Sequence, residues 1–131
     1  MKKIFLSFLV LGFICFTAQA STLTNVRYSS YPQKVRIVFD FNGQAYYGIV
    51  TSEGSLTLAL MSCEAAASIK DKLNVNDWVI GDISFNRSGG KIIVNIPMQY
   101  PVTSNVFPLG SPSRLVVDFG RVFNRTEKGG N

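Results

Sequence analysis

The sequence predicts an all-β protein, a β-sandwich of two related four-stranded sheets with a short connecting helix. Three observations support this fold class. Apolar and polar residues alternate at period two in several short runs, which is typical of strands with one buried face. Turn-forming residues separate the runs, and the order of runs in the first half of the chain recurs in the second half. The length of 131 residues fits one domain.

Each principal strand is predicted from its own alternation. The opposite faces of these runs carry most of their charged and polar side chains. Asn42-Gly43, Glu53-Gly54 and Ser88-Gly89-Gly90 predict hairpin turns between strands, because glycine adopts positive φ without steric cost. The apolar positions predicted to share a buried face are Val35, Ile37, Phe39 and Phe41, then Leu56, Leu58 and Leu60, then Ile92, Val94, Ile96 and Met98, and finally Leu115, Val117 and Phe119.

The strands repeat in order at nearly constant spacing. Val35 lies 57 positions before Ile92, and Leu56 lies 59 positions before Leu115. Each half would form one sheet with a single apolar face, and packing the two halves face to face would bury both faces. A further strand in each half completes four strands per sheet, at 44–51 and 102–107.

The segment 64–74 between the halves has a different pattern. Ala65-Ala66-Ala67 favours a helix, and Ile69 and Leu73 would share one helix face at i,i+4 spacing. We therefore predict a short amphipathic helix that crosses from one half to the other. Trp78, which follows, is interpreted as packing at the start of the fifth strand, with a ligand-stacking platform as the alternative.

The first 20 residues have the pattern of a secretory signal peptide. Met1-Lys2-Lys3 is basic, an apolar run follows over 4–16, and Ala18-Gln19-Ala20 supplies small residues for cleavage. This predicts export to the periplasm, with no membrane span after cleavage, since the apolar run is shorter than a spanning helix. The folded domain is predicted over 21–123, and the polar, glycine-containing segment 124–131 is predicted to be a flexible tail.

Composition argues against an enzyme. The chain has no histidine, which excludes histidine-dependent nucleophilic triads and zinc sites with histidine ligands. The eight acidic residues are scattered, and nothing marks a pair placed for glycoside hydrolysis. No glycine-rich phosphate loop lies between a strand and a helix. We expect no catalytic residues, no cofactor and no metal.

The charge is mildly basic. Removal of Lys2 and Lys3 with the signal peptide lowers the formal net charge from +5 to +3. The remaining basic residues form neither a run nor a helical stripe, so we expect no nucleic-acid binding. Cys63 would be the single cysteine left, which excludes an internal disulfide. It is interpreted either as a small buried side chain or as a thiol that pairs between chains.

The order of strands resembles the AMIN domain, which precedes the catalytic part of periplasmic N-acetylmuramoyl-L-alanine amidases and the channel part of type IV pilus secretins. The matching pieces are the strand at 23–28, the run Lys34–Asp40, and the closing run Pro112–Phe119 with its Pro-x-Arg-Leu-Val-x-Asp pattern. The resemblance covers 23–123. It implies two related four-stranded sheets and binding to peptidoglycan, which places the host protein in the envelope. No amidase or secretin domain follows in this sequence, unlike the family's usual arrangement.

The candidate ligand-binding residues are polar side chains predicted to project from the sheets away from the core. Arginine suits this role because its planar guanidinium accepts a carboxylate through two hydrogen bonds. Tyr46, Tyr47 and Tyr100 would add aromatic faces for sugars, although alternation must bury one of Tyr46 and Tyr47. The six candidates are Arg36, Asp40, Lys91, Asn95, Arg114 and Asp118.

Three functions are compatible with these features. The first is a non-catalytic periplasmic module that binds peptidoglycan and localises to the cell envelope. The second is a protein-interaction accessory of a secretion or type IV pilus assembly, which would bind envelope proteins of the division or secretion machinery through a sheet edge or a polar face. The third is a carrier of an apolar ligand held between the sheets, although no pattern in the sequence indicates a cavity.

Overall fold

The structure, a computed structural model, describes residues 20–75, 77–99, 102–111 and 113–121. Within these ranges the chain is all-β and contains no helix. Positions 1–19 of the predicted signal peptide, the predicted tail at 124–131 and Tyr100 lie outside the described residues. No described helix is long and apolar enough to cross a membrane. The strands are β1 (Ser21–Ser30), β2 (Lys34–Asn42), β3 (Tyr46–Ser52), β4 (Ser55–Met61), β5 (Cys63–Ala65), β6 (Lys72–Leu73), β7 (Ile83–Arg87), β8 (Ile92–Pro97), β9 (Val102–Leu109) and β10 (Arg114–Arg121).

The strands form two sheets of five strands each. Sheet A has the order β5-β1-β2-β10-β9, and sheet B has the order β3-β4-β8-β7-β6. All neighbouring strands are antiparallel except β1 and β5, which are parallel. The long strands of each sheet pair over most of their length, so the backbone hydrogen bonds of the core strands are satisfied within the sheets.

The inner faces of both sheets pack into one hydrophobic core, which gives a sandwich-like arrangement. The buried positions predicted from alternation are confirmed on every principal strand, with Met98 only partly buried at the end of its run. Burial of such aliphatic and aromatic side chains is the main term that stabilises a domain of this size. The largest fully buried side chains are Phe39, Phe119, Leu23, Ile37, Leu56, Leu58, Leu60, Ile80, Ile83, Ile92, Ile96 and Leu115.

The two halves of the chain do not form one sheet each, so this part of the prediction is wrong. Sheet A combines β1 and β2 of the first half with β9 and β10 of the second, while sheet B combines β3 and β4 with β7 and β8. The exchange is symmetric. Sheet A contains the first two strands of the first half and the last two strands of the second half, and sheet B contains the remaining pair of each half. Period-two alternation specifies which side of a strand is buried, and it does not specify which strand lies next to it.

The turn between β2 and β3 differs from the prediction for the same reason. Asn42-Gly43 marks the point where the chain leaves sheet A for sheet B, and it does not join two paired strands. Gly43 has φ of 101°, and a Cβ there would lie 3.2 Å from the carbonyl oxygen of Ala20. Glycine is therefore required at this crossing. Glu53-Gly54 is confirmed as a two-residue hairpin, since Ser52 pairs with Ser55.

The predicted connecting helix in 64–74 is also wrong, and so are the four-stranded sheets. This segment instead supplies β5, which pairs with the start of β1, and β6, which pairs with β7. The backbone N–H of Ala66 donates to the Leu23 carbonyl at 2.9 Å. The alanine preference for helix amounts to only a few tenths of a kcal/mol per residue, and pairing with an open sheet edge overrides it. Ile69 and Leu73 still pack against the core, from non-helical backbone.

Candidate functional site

Four of the six candidate residues lie on the outer face of sheet A. Strands β2 and β10 are neighbours, and their register places Arg36 opposite Asp118 and Asp40 opposite Arg114. Alternate residues of these strands point into the core, so these four point away from it. We call this surface the charged face. Its six charged side chains on the four long strands are Arg27, Lys34, Arg36, Asp40, Arg114 and Asp118.

Arg36 and Asp118 form a two-bond ion pair at the centre of the charged face. Arg36 Nε donates to Asp118 Oδ1 at 2.8 Å, and Arg36 Nη2 donates to Asp118 Oδ2 at 2.9 Å. Lys34 Nζ lies 3.6 Å from Asp118 Oδ2. The hydrogen bonds from Arg36 are the main cause that lowers the pKa of Asp118, and those to Asp118 raise the pKa of Arg36. Both groups therefore stay charged at neutral pH.

A second two-bond pair joins Arg27 of β1 to Asp40 of β2. Arg27 Nε and Nη2 donate to the two carboxylate oxygens of Asp40 at 2.9 and 2.8 Å. Sequence reasoning did not include Arg27 among the candidates. Its signal was available, because Arg27 lies between the apolar Val26 and the aromatic Tyr28 in the predicted strand, and neighbouring side chains of a strand point to opposite faces. Arg114 stands across from Asp40, so the described residues of β1, β2, β9 and β10 place four cations and two anions on this face. Glu64 of the edge strand β5 adds a third anion at its margin.

An apolar stripe separates the two ion pairs. The register aligns Val38, Val116 and Phe107 in one row across β2, β10 and β9. Val116 is only 1% exposed although it lies on the outer face. The Arg36 guanidinium carbon lies 5.8 Å from the centre of the Phe107 ring, within cation–π range. This contact adds to the interactions that hold the Arg36 guanidinium on the charged face.

The charged face continues into a groove at the end of β10. This groove has a volume of about 430 Å³ and lies between the crossing at Gly43 and the turn at Gly110. Arg114 is the charged residue among its described lining, beside the polar Gln44, Ser111 and Ser113. The combination of one guanidinium with amide and hydroxyl groups is suited to a polar ligand that carries a carboxylate.

Lys91 and Asn95 are not brought together with the other four candidates. Asn95 lies on the outer face of sheet B, where Thr57 Oγ1 donates to Asn95 Oδ1 at 3.4 Å. Lys91 lies in the turn before β8, exposed, and its carbonyl accepts from Ser88 N at 2.9 Å. The six candidates are therefore divided between two surfaces, because β8 belongs to the sheet that does not carry the charged face.

The aromatic candidates are also dispersed. Tyr46 is exposed and Tyr47 is partly buried against the core, so alternation separates the two side chains but fully buries neither. Both belong to β3 of sheet B. Trp78 lies outside any strand and is 53% exposed, so the interpretation that it packs at a strand start is wrong. Its role as a stacking platform stays a prediction.

Cys63 is a free thiol at the start of β5, and its side chain is 2% exposed. The interpretation as a small buried side chain is confirmed. Burial raises the pKa of this thiol, because the thiolate is poorly solvated there. In this fold Sγ is out of reach of a second chain, which argues against pairing between chains.

No family model matches the chain, and no curated protein matches it either. Candidate functions therefore rest on the residues and geometry described above.

Proposed function

We propose that this protein is a non-catalytic periplasmic module that binds peptidoglycan through the charged face of sheet A. The observation that carries the proposal is the pair of two-bond arginine–aspartate contacts on one open sheet surface with an excess of positive charge. Peptidoglycan offers matching groups, since its stem peptides carry carboxylates and its sugars carry hydroxyls.

The ion pairs prepare the face for binding. Each aspartate accepts two hydrogen bonds, from Nε and Nη2 of one arginine. These bonds hold the plane of the guanidinium in one orientation before a ligand binds. Arg114 then presents a further cation beside the groove at Gly110. A polymer with repeated carboxylates would contact the charged face and the groove together, so that several weak contacts add up along one polymer chain.

The resemblance to the AMIN domain supports the same function. We propose that the two sheets form a β-sandwich of that kind, extended by β5 and β6. Export by the segment 1–20 would place the domain in the periplasm, where peptidoglycan is available. The role of Arg36 and Arg114 in binding follows from their position on the charged face.

Sedimentation with purified sacculi tests the proposal. We expect saturable, salt-sensitive binding by the wild type, and binding at least about tenfold weaker in Arg36→Ala/Arg114→Ala, because two charge-assisted contacts are lost. The matched control is Lys70→Ala/Lys91→Ala, which removes the same net charge from outside the face. Absence of saturable binding, or equal weakening in both double variants, would contradict the proposal.

A protein-interaction accessory of a secretion or pilus assembly is the second candidate, favoured by the edge of sheet B. Within the described part of the chain, strand β3 has no neighbour on its outer side. The strand contains no charged residue, and its Val50 is 65% exposed. Uncharged edge strands can pair with an extended segment of another chain.

Localisation of tagged variants separates the two candidates. Val50→Lys places a charge on the edge strand and leaves the charged face intact. If Val50→Lys disperses the protein in the cell while sacculus binding persists, the second candidate is favoured. Loss of localisation in Arg36→Ala/Arg114→Ala, with Val50→Lys unaffected, favours the first. A midcell ring would fit the wall-division role, and polar foci would fit a secretion or pilus assembly.

A further inference from the structure

A second groove lies between β1 of sheet A and the strands β6 and β7 of sheet B. Its volume is about 410 Å³, within the range of small-ligand sites. The apolar lining consists of Val26, Ile69, Leu73 and Phe85, all of which belong to or pack against the hydrophobic core. The groove therefore opens the sandwich-like core to the surface where β5 no longer covers β1.

The wall of this groove is fixed in place by hydrogen bonds. Phe85 N donates to the Asp71 carbonyl at 2.8 Å, and the Arg87 guanidinium donates to the Ile69 carbonyl. Arg87 also lies 3.2 Å from Asp71 Oδ1. The segment 69–73 is thus held on β7 from its backbone and from a side chain, so the groove exists before any ligand binds.

The rim of the groove is positively charged. Lys70 and Lys72 are exposed lining residues, and neither ammonium group makes an ion pair or a hydrogen bond within the described part of the chain. Asp71, between them in sequence, contacts Arg87 instead. The described lining contains no acidic residue. The other lining side chains, Asn25, Ser68 and Asn74, are polar and uncharged. Apolar side chains beside two cations are complementary to an apolar molecule that carries one negative group.

We propose that this groove binds a single-chain alkyl carboxylate, with the chain on Val26, Leu73 and Phe85 and the carboxylate at Lys70 and Lys72. The charges select the anion, and the apolar lining selects the chain. This site shares no residue with the charged face, so it is independent of peptidoglycan binding.

Calorimetric titration of the full chain with decanoate tests the proposal, with decanol, decylamine and acetate as matched probes. We expect saturable binding of decanoate, with decanol and acetate at least about tenfold weaker because each lacks one half of the interaction. Amide resonances of 26, 69–73 and 85 should shift in NMR spectra on titration with decanoate. Equal binding of decanol or decylamine would overturn anion selection, and shifts confined to other residues would overturn the site.

Charge-neutral variants make the test specific. Lys70→Gln/Lys72→Gln should weaken decanoate binding about tenfold and leave decanol binding unchanged, because only the carboxylate contacts are removed. Lys91→Gln, which neutralises an exposed lysine elsewhere, should change neither. An unchanged affinity in the double variant would overturn the proposal. Tighter binding of an acetylated dipeptide that ends in leucine would overturn the alkyl occupant in favour of a peptide terminus.

Discussion

The outer faces of the two sheets differ in charge although they are built by the same strand pairing. In sheet A, Arg36 pairs with Asp118 across β2 and β10. The repeat positions in sheet B are Ile93, 57 residues after Arg36, and Ala59, 59 residues before Asp118, and these two also pair, across β8 and β4. Positions related by the sequence spacing thus carry an ion pair in one sheet and an aliphatic pair in the other.

This difference shows that the same strand pairing forms with uncharged residues at these positions. Sheet B holds the same register without any charged residue on the facing positions of β4 and β8. The row that is Val38–Val116 in sheet A is Asn95–Thr57 in sheet B. Because strand pairing of this kind does not depend on charged residues in sheet B, the charges of sheet A are candidates for a functional role.

The grooves at the ends of the sheets repeat the contrast. The groove beside Gly110 carries Arg114, whereas the related groove beside Gly54, of about 490 Å³, carries Glu53. The two ends of the fold therefore offer opposite charges. An anionic ligand that recognises fold geometry alone would bind at both ends, and one that recognises charge would bind only beside Arg114.

The largest expected difference between the sheets is in the free energy of unfolding that is lost when a polar residue is placed in the row of Val38 and Val116, compared with the equivalent row of sheet B. Val116→Asn should lower the free energy of unfolding by about 3 kcal/mol, because it buries an amide without arranged partners. Thr57→Asn, at the equivalent and partly exposed position of sheet B, should cost less than about 1 kcal/mol. Urea denaturation measures both, and equal costs would refute the contrast in burial.

Breaking the central ion pair should have an intermediate effect. Asp118→Ala should cost about 1–2 kcal/mol, since Arg36 loses both hydrogen bonds of its carboxylate partner. The double variant Arg36→Ile/Asp118→Ala transfers the pair of sheet B to sheet A, and it should be more stable than Asp118→Ala alone. The same denaturation experiment compares them. A double variant less stable than the single one would show that sheet A needs its ion pair to fold.

Acid should lower the free energy of unfolding of the protein partly through the Asp118 carboxylate of sheet A. The pKa of Asp118 is lowered in the fold, so its contribution is full above the unfolded value of about 3.9 and is lost as the pH falls through the lower folded value. Between about pH 5 and about pH 2, the wild type should lose on the order of 1 kcal/mol more stability than Asp118→Asn. Denaturation at each pH measures this difference. Parallel pH profiles for the two proteins would contradict the account.

The smallest expected effect is at the rim of the charged face. Arg27→Ser introduces the residue found at the repeat position in β7, Ser84. Because the Arg27 side chain is more than half exposed, its pair with Asp40 should contribute less than about 0.5 kcal/mol to stability. Thermal unfolding checks this value. A cost above that of Asp118→Ala would reverse the ranking of the two ion pairs.

The sequence predicted the principal strands and their buried faces because both depend on the period of the side chains. It did not predict the exchange of strand pairs between sheets, since either arrangement buries the same residues, such as Phe39 and Leu58. For the same reason, the sequence did not predict which candidate site residues lie next to each other. Arg36 and Asp118 could be assigned to outer faces, but their contact depends on β2 lying beside β10, and Asn95 was separated from them because β8 lies in sheet B.

The error in 64–74 has a different physical origin. Local preference favoured a helix at Ala65-Ala66-Ala67, but the open edge of β1 offered long-range hydrogen bonds to this segment. The even spacing of Ile69 and Leu73 is compatible with both outcomes. The groove at Lys70 and Lys72 could not be predicted either, because it exists only where β5 ends and β1 continues.

NMR titration of the isotope-labelled protein with soluble peptidoglycan fragments distinguishes the two sheets as binding surfaces. If the charged face of sheet A binds, we expect amide shifts confined to β1, β2, β9 and β10 and to the turn at Gly110, and the loss of these shifts in Arg36→Ile/Asp118→Ala. Shifts on β4 and β8, or shifts of equal size on both sheets, would show that the charged face is not the binding surface.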